Sequence, residues 1–317
     1  MWLTHAAFRR HSLGFMALSM ESAIEMTITP VTHDLGDFKV NRSLPAKQRT
    51  MVGPFIFVDE FGPARLPPGR GMDVRPHPHI NLATVTYLFE GAIEHRDSIG
   101  SHAVIEPGAI NLMTAGSGIV HSERSPQALR PDGPSLYGMQ TWIALPDGGE
   151  EVEPAFDHVP ASELPLVEDG AVRARVLMGS LWGKTAATRC DSPTIYADIE
   201  LVSGGTLPIE AGADERAVML AGGDAELDGR KLDLFTLYIL APDHQAKLSS
   251  SSGARAMLMG GQAFSTRRYV FWNFVSSSRD RINQAKHDWK AMRFPLIPGD
   301  DQEFIPLPEI PLTVSYP

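Results

Sequence analysis

From about Thr27 to Pro146, short runs of β-branched, aromatic and aliphatic residues are broken by turn residues every eight to ten positions: Gly91, Gly100, Pro107-Gly108, then Gly116 and Gly118. Such runs, punctuated this closely, predict antiparallel strands. In Asn81–Phe89 both alternating sets are largely apolar, Leu82 and Leu88 on one side, Val85, Tyr87 and Phe89 on the other. A strand of that kind has cover on both faces, as in a sandwich or a small barrel with a filled interior. The segment GPARLPPGRGMDVRP (62–76) is rich enough in Pro and Gly to be expected as a loop.

A second region, about 170–262, repeats this pattern. Thr194–Val202 precedes Gly204-Gly205, Ala217–Leu220 precedes Gly222-Gly223, and Leu234–Leu240 precedes Ala241-Pro242-Asp243. Between the two regions, Pro146-Asp147-Gly148-Gly149 and the acidic stretch 150–153 mark a linker expected over 147–169. The pattern therefore predicts an all-β chain of two antiparallel domains, 27–146 and 170–317. One helix is expected late, at about 278–293. Ile282, Ala285, Trp289 and Met292 recur at three- and four-residue spacing, Ser277 is a candidate cap with Asp280 three positions on, and Pro295 forbids continuation. The proline-broken stretch after it is expected to lie along the surface as a tail. Residues 1–26 read as a disordered amino-terminal extension, in which the apolar run after Arg9 and Arg10 is too broken for a secretory signal. No stretch approaches the ~20 apolar residues that cross a bilayer as a helix.

Composition narrows the partners. Across 317 residues, 28 basic and 38 acidic side chains leave a net charge of −10, which argues against a groove for nucleic acid. A single cysteine, Cys190, excludes an intramolecular disulfide and a zinc site built from several thiolates. It fits a reducing compartment, so a cytoplasmic location with no membrane association is expected. Eleven histidines remain to be placed.

Four residues stand out. His77 and His79 are separated by Pro78, and His121 and Glu123 by Ser122. Side chains two apart on a strand share a face, so each pair aims two donors in one direction. The 41 residues between the pairs allow three or four strands, and a barrel could bring the pairs together inside. Three imidazoles and a carboxylate suit one divalent first-row metal, iron(II) foremost, with manganese, nickel, cobalt, copper and zinc also compatible, and would leave coordination positions open. Spacing alone leaves the alternative open that these are hydrogen-bonded core histidines.

The run HPHINLATVTYLFEGAIEHRDSIGSHAVIEPGAINLMTAGSGIVHSE (77–123) resembles the motif block of the pirin family. GPFIFVDEFGP (53–63), YGMQTWIALP (137–146) and WNFVSSSRDRINQAKHDWKAMRF (272–294) extend the likeness in order. The resemblance implies a bicupin, two stacked jelly-roll barrels, with the metal in the first barrel on His77, His79, His121 and Glu123; the second, which offers only His244 and no His-x-His counterpart, is expected to be metal-free. It also implies a quercetinase-like dioxygenase that opens a flavonol, or a similar chelating phenol or enol, with O2. Glu123 would then accept the substrate's hydroxyl proton. The rival implication is a regulator whose metal state sets its affinity for a protein partner.

Departures from the family pattern affect the expected pocket. Asn81 stands where glycine is common, on the parity of His77 and His79, and is expected to narrow or polarise the pocket. Leu112, Ala109 and Ser117 replace a usual tryptophan, aspartate and arginine, and are expected in the pocket wall or its loops. His95 and Asp97 share a parity and are candidates to orient a ligand histidine. His102 is expected to be exposed; His5, His11, His33, His158 and His287 fall in tail, loop or helix contexts, and His244 lacks a paired donor.

Overall fold

The computed structural model describes residues 22–34, 38–309 and 313–314. The strands of the first half are β1 (Ile24–Ile28), β2 (Val31–Asp34), β3 (Lys39–Leu44), β4 (Phe55–Arg65), β5 (Asp73–His79), β6 (Leu82–Gly91) and β7 (Ile93–Asp97). They continue with β8 (His102–Ile105), β9 (Ile110–Thr114), β10 (Ile119–Arg124), β11 (Ser135–Ala144) and β12 (Ala155–Val159). A seven-stranded sheet in the order β12-β9-β6-β11-β4-β3-β2 faces a four-stranded sheet in the order β5-β10-β7-β8, and together they form the first barrel. The second half repeats the plan. Its larger sheet runs through Leu237–Leu240, Glu215–Gly223, Ala254–Gly261, Thr194–Leu201, Val172–Met178 and Leu166–Asp169, and its smaller sheet includes Thr206–Ile209 and Ala246–Ser249. The chain is thus all-β with one carboxy-terminal helix, a bicupin.

The two apolar faces of β6 explain how the barrels stack. Ala83, Val85 and Tyr87 join Phe55, Met139 and Ile143 against Tyr196, Met219, Leu237, Ile239, Met257 and Met259 of the second barrel. The opposite face of β6 turns into the first barrel. A buried polar bridge crosses the stack: Tyr87 Oη donates to Asp198 Oδ2 at 2.7 Å, and the Arg255 guanidinium grips the same carboxylate. The second barrel's interior is filled by aliphatic side chains such as Val176, Ile199, Leu220 and Leu258.

At both ends of the described chain, an element crosses to the other barrel. Strand β1, which begins inside the stretch expected as an extension, pairs with Leu237–Leu240 of the second sheet. Conversely, Tyr269–Phe271, Phe274–Ser276 and helix α1 (Arg279–Lys290) pack on the first barrel, where Phe274, Ile282, Ala285 and Trp289 cover Ile80 and Val120. The helix is shorter than the expected 278–293. Ser278, not Ser277, caps it by accepting from the Arg281 amide, because Ser277 is held by the Glu150 carboxylate. The helix ends before Pro295 is reached, at Ala291, with Met292 in a left-handed conformation. The expected 62–76 loop is strand at both ends, in β4 and β5, with a turn only around Pro67–Gly71. The expected linker contains β12, which pairs with β9. His33 and His158 accordingly lie on strands, not in loops, and His158 Nδ1 meets Asn111 Oδ1. Among the described residues no helix is long and apolar enough to cross a membrane.

Candidate metal centre

Two neighbouring strands supply the candidate ligands: β5 carries His77 and His79, and β10 carries His121 and Glu123. Strand β10 lies between β5 and β7, so His121 stands opposite both His77 and Asp97, and Glu123 stands opposite His95. The β5/β10 register shifts between His121 and Glu123, which faces Val74, so β5 holds an extra residue there.

The ligand nitrogens of His77, His79 and His121 lie within 4.8 Å of one another, and all three residues are buried. His79 Nε2 and His121 Nε2 are 3.1 Å apart. Two nitrogens each about 2.1 Å from one ion and at right angles to each other would stand about 3 Å apart, so the spacing fits a shared cation. Burial pushes all three imidazoles below the ordinary histidine range, His79 and His121 well below it, and neighbouring histidines add to the effect, His95 in the case of His77. Neutral rings with inward lone pairs are what a divalent metal needs. His77 Nδ1 donates to the Arg75 carbonyl at 2.8 Å, leaving Nε2 as its donor atom. The cluster is a divalent metal site.

Behind His121 stands a relay. His121 Nδ1 is 3.5 Å from His95 Nδ1, and His95 Nε2 donates to Asp97 Oδ2 at 3.1 Å. The Asp97 Oδ1 atom accepts from the amides of Ile99 and Ser101. Burial raises the Asp97 pKa, but the bonds from His95 and Ser101 outweigh it and hold the carboxyl below its usual range. An ionised Asp97 fixes the His95 proton on Nε2. His95 Nδ1 is then an acceptor, which favours the His121 tautomer protonated on Nδ1 and free at Nε2. Phe156 stacks on the His95 ring at 4.5 Å and holds its plane.

Glu123 faces inward on β10 but lies outside the tight histidine group. Its Oε1 accepts from Thr86 Oγ1 at 3.2 Å and Gln140 Nε2 at 3.0 Å, and its Oε2 from Gln140 at 3.1 Å. Thr86 and Gln140 are opposite each other across β6 and β11. Both lie inside segments that carry the family resemblance, but neither has ligand spacing; the further signal in the sequence was parity, with Thr84 and Thr86 interrupting the apolar set of Leu82 and Leu88. Beside His79, Trp142 presents its indole at 5.1 Å and stacks on Phe57 at 4.0 Å. The Arg42 guanidinium lies 4.3 Å over Phe57 and grips the buried Asp59 with two bonds.

The expected pocket role of Asn81 is corrected. Its φ is +57°, a conformation glycine adopts freely and asparagine tolerates, and this explains why the position suits those two residues. Its amide is spent on Glu150 O at 2.8 Å and Glu151 Oε1 at 2.6 Å, tying the end of β5 to the 150–151 loop. Leu112 likewise belongs to the apolar layer between the barrels instead of the pocket wall. Ala109 is buried beside β9, and Ser117 meets α1 through its carbonyl, which accepts from Arg281. His102 is exposed and bonds Glu94, and His244 bonds Asp228.

Comparison with known proteins places this site in a family. Residues 37–143 match the Pirin domain and residues 196–295 the Pirin C-terminal cupin domain. A pirin-like protein of Caulobacter vibrioides is 47% identical over 289 residues, covering 90% of this chain and all of that one. The crystal structure of a quercetin 2,3-dioxygenase from Acinetobacter baumannii superposes with a TM-score of 0.84 at 32% identity, covering 91% of this chain and 96% of that one. A bacterial pirin of Escherichia coli, solved in complex with nickel(II), shares the fold at 16% identity and a TM-score of 0.60, over 74% of this chain and 98% of that one. With both barrels matched and a relative of that identity aligned along its whole length, the chain belongs to the pirin family.

Proposed function

We propose that the protein is a metal-dependent dioxygenase of the quercetinase type, acting with O2 on a flavonol or another chelating phenol or enol. The observation that carries this is the convergence of His77, His79 and His121, three neutral buried imidazoles with ligand atoms within 4.8 Å of one another. The likeness to the A. baumannii quercetin 2,3-dioxygenase supports the chemistry. In this reading the three histidines and Glu123 hold one divalent ion, iron(II) foremost. Such an ion, when bound, acidifies a coordinated hydroxyl and supplies redox chemistry toward dioxygen.

The chain's own contribution follows from its side chains. Glu123, oriented by Gln140 and Thr86, accepts the substrate's hydroxyl proton. Trp142 and Phe57 form a flat apolar wall from His79 outward, suited to an aromatic ring system. Burial of the three imidazoles keeps bulk water from the site.

The test is aerobic incubation of the reconstituted protein with quercetin, following loss of its visible band and release of carbon monoxide. Turnover abolished by Glu123→Gln, whose amide takes no proton, supports the reading. Absence of turnover with every metal tested, in protein shown to be metal-loaded, contradicts it.

A further inference from the structure

The chain beyond α1 does more than trail across the surface. Asp300, whose side chain is 14% exposed, is anchored on the outer face of β10. Its Oδ2 accepts from Ser122 Oγ at 2.7 Å and from Arg124 Nε at 3.0 Å, and its Oδ1 from Arg124 Nη2 at 2.9 Å. Glu303 accepts from the same guanidinium at 2.9 Å. Five residues past Asp300, the Ile305 amide donates to the Pro76 carbonyl at 2.9 Å, and the Ile305 carbonyl accepts from Trp289 Nε1 at 3.0 Å.

These contacts fall on two places in the fold. Ser122 sits between His121 and Glu123, and Pro76 directly precedes His77. Strand β5 is the edge of the four-stranded sheet. Pro76 and Pro78 have no amide to donate, and the β5/β10 register breaks beside Pro76. The strand carrying two of the three histidines is therefore weakly held by its own sheet where His77 begins. The Ile305 amide supplies a bond at that break, and Asp300 fixes the neighbouring strand from the same outer side.

We propose that the 297–305 segment is a strap that sets the spacing of the two ligand strands, with Asp300 as a positioning residue of the metal centre. This rests on the metal-site reading above. Outer partners that orient metal ligands commonly carry ten- to hundredfold in affinity. Asp300 acts through Ser122 and the strand, at one further remove, so the low end of that range is expected.

The test uses cobalt(II) loaded into the full chain of wild type, Asp300→Ala, Ser122→Ala and the tail control Gln302→Ala. Release of cobalt to a chelator and the d–d absorption of the bound ion are followed, together with the thermal midpoint of the metal-free proteins. Asp300→Ala and Ser122→Ala are expected to release cobalt about tenfold faster than wild type and to shift the d–d bands, with Gln302→Ala unchanged. Ser122→Ala leaves the tail itself intact and carries the test should Asp300→Ala not fold. Unchanged release and spectra in the folded variants overturn the proposal, including the case where only the thermal midpoint falls, which would make the segment a brace and nothing more. Folded wild type that takes up no cobalt overturns the metal reading itself, an outcome distinct from equal binding by all four proteins.

Discussion

His95 and His121 face each other Nδ1 to Nδ1 at 3.5 Å, and the proton order of that pair is set from behind by Asp97, which holds His95 through Nε2 at 3.1 Å. Because a carboxylate only accepts, the hydrogen-bond direction runs from His121 through His95 to Asp97, leaving His121 Nε2 for a metal. Asp97→Asn breaks that order, since an amide can present a donor to His95. Metal affinity is expected to fall about ten- to hundredfold, measured by competition with a chelator. Unchanged affinity would show that His95 does not orient His121.

Asn81 offers a test of backbone conformation separate from chemistry. Asn81→Ala places an alanine at φ +57° and removes the bonds to Glu150 and Glu151, so a loss of about 2–4 kcal/mol in unfolding free energy is expected. Asn81→Gly keeps the conformation and loses only the bonds, so it should be the milder change. Equal losses in chemical denaturation would contradict this assignment.

The bridge between the barrels makes a third prediction. Tyr87→Phe removes the bond to Asp198 but leaves Arg255 paired with it, and should cost about 1.5–3 kcal/mol, a hydrogen bond to a charged group. Asp198→Ala removes both the Tyr87 bond and the paired bonds to Arg255, which keeps only its longer contact with Glu200 at 3.5 Å, and should cost more than Tyr87→Phe, about 3–5 kcal/mol. The ordering of the two variants in denaturant midpoints is the check.

Glu60 gives the fold a pH dependence of its own. It is fully buried, accepts from Asn41 Nδ2 at 2.7 Å through one oxygen, and burial, helped by the nearby Asp59 charge, pushes its pKa from 4.5 up to about 7. Below pH 4.5 the folded and unfolded states both hold the proton. Between 4.5 and 7 only the folded state holds it, so stability falls as pH rises. Above 7 the charged form is buried and the cost is complete, on the order of 3 kcal/mol. Glu60→Gln removes this slope: its unfolding free energy relative to wild type should rise between pH 5 and pH 8. A constant difference across that range would contradict it.

Much of the site could be read from strand parity. His77 with His79, and His121 with Glu123, share strand parity, and the register of β10 brings the three histidines together while Glu123, on the same strand, stands outside that group. His95 and Asp97 came from the same rule. Parity failed at Asn81, where the strand ends and the chain turns through a left-handed conformation; the side chain then points along the loop, not into the barrel. Gln140 and Thr86 lie inside the family segments but have no ligand spacing of their own, and only the pairing of β6 with β11 puts them beside Glu123. The crossing of both chain ends was illegible for a related reason. Local pattern leaves Ile24–Met26 in an expected extension, because the sheet that Ile24–Ile28 joins is decided by contacts some 210 residues away. The tail is the extreme case, since Asp300 and Ile305 sit in a proline-broken stretch with no periodicity, and their partners lie on strands far earlier in the chain.

One metal ion per chain is predicted on the two ligand strands of the first barrel. Metal content per chain, measured by elemental analysis after reconstitution with iron(II) under anaerobic conditions, tests it most directly when wild type is set beside His79→Ala and Glu123→Ala. One equivalent is predicted in wild type, with loss of most of it in His79→Ala and weakened retention in Glu123→Ala, all three remaining folded. One equivalent retained in both variants would mean that the ion is not held by His79 and Glu123.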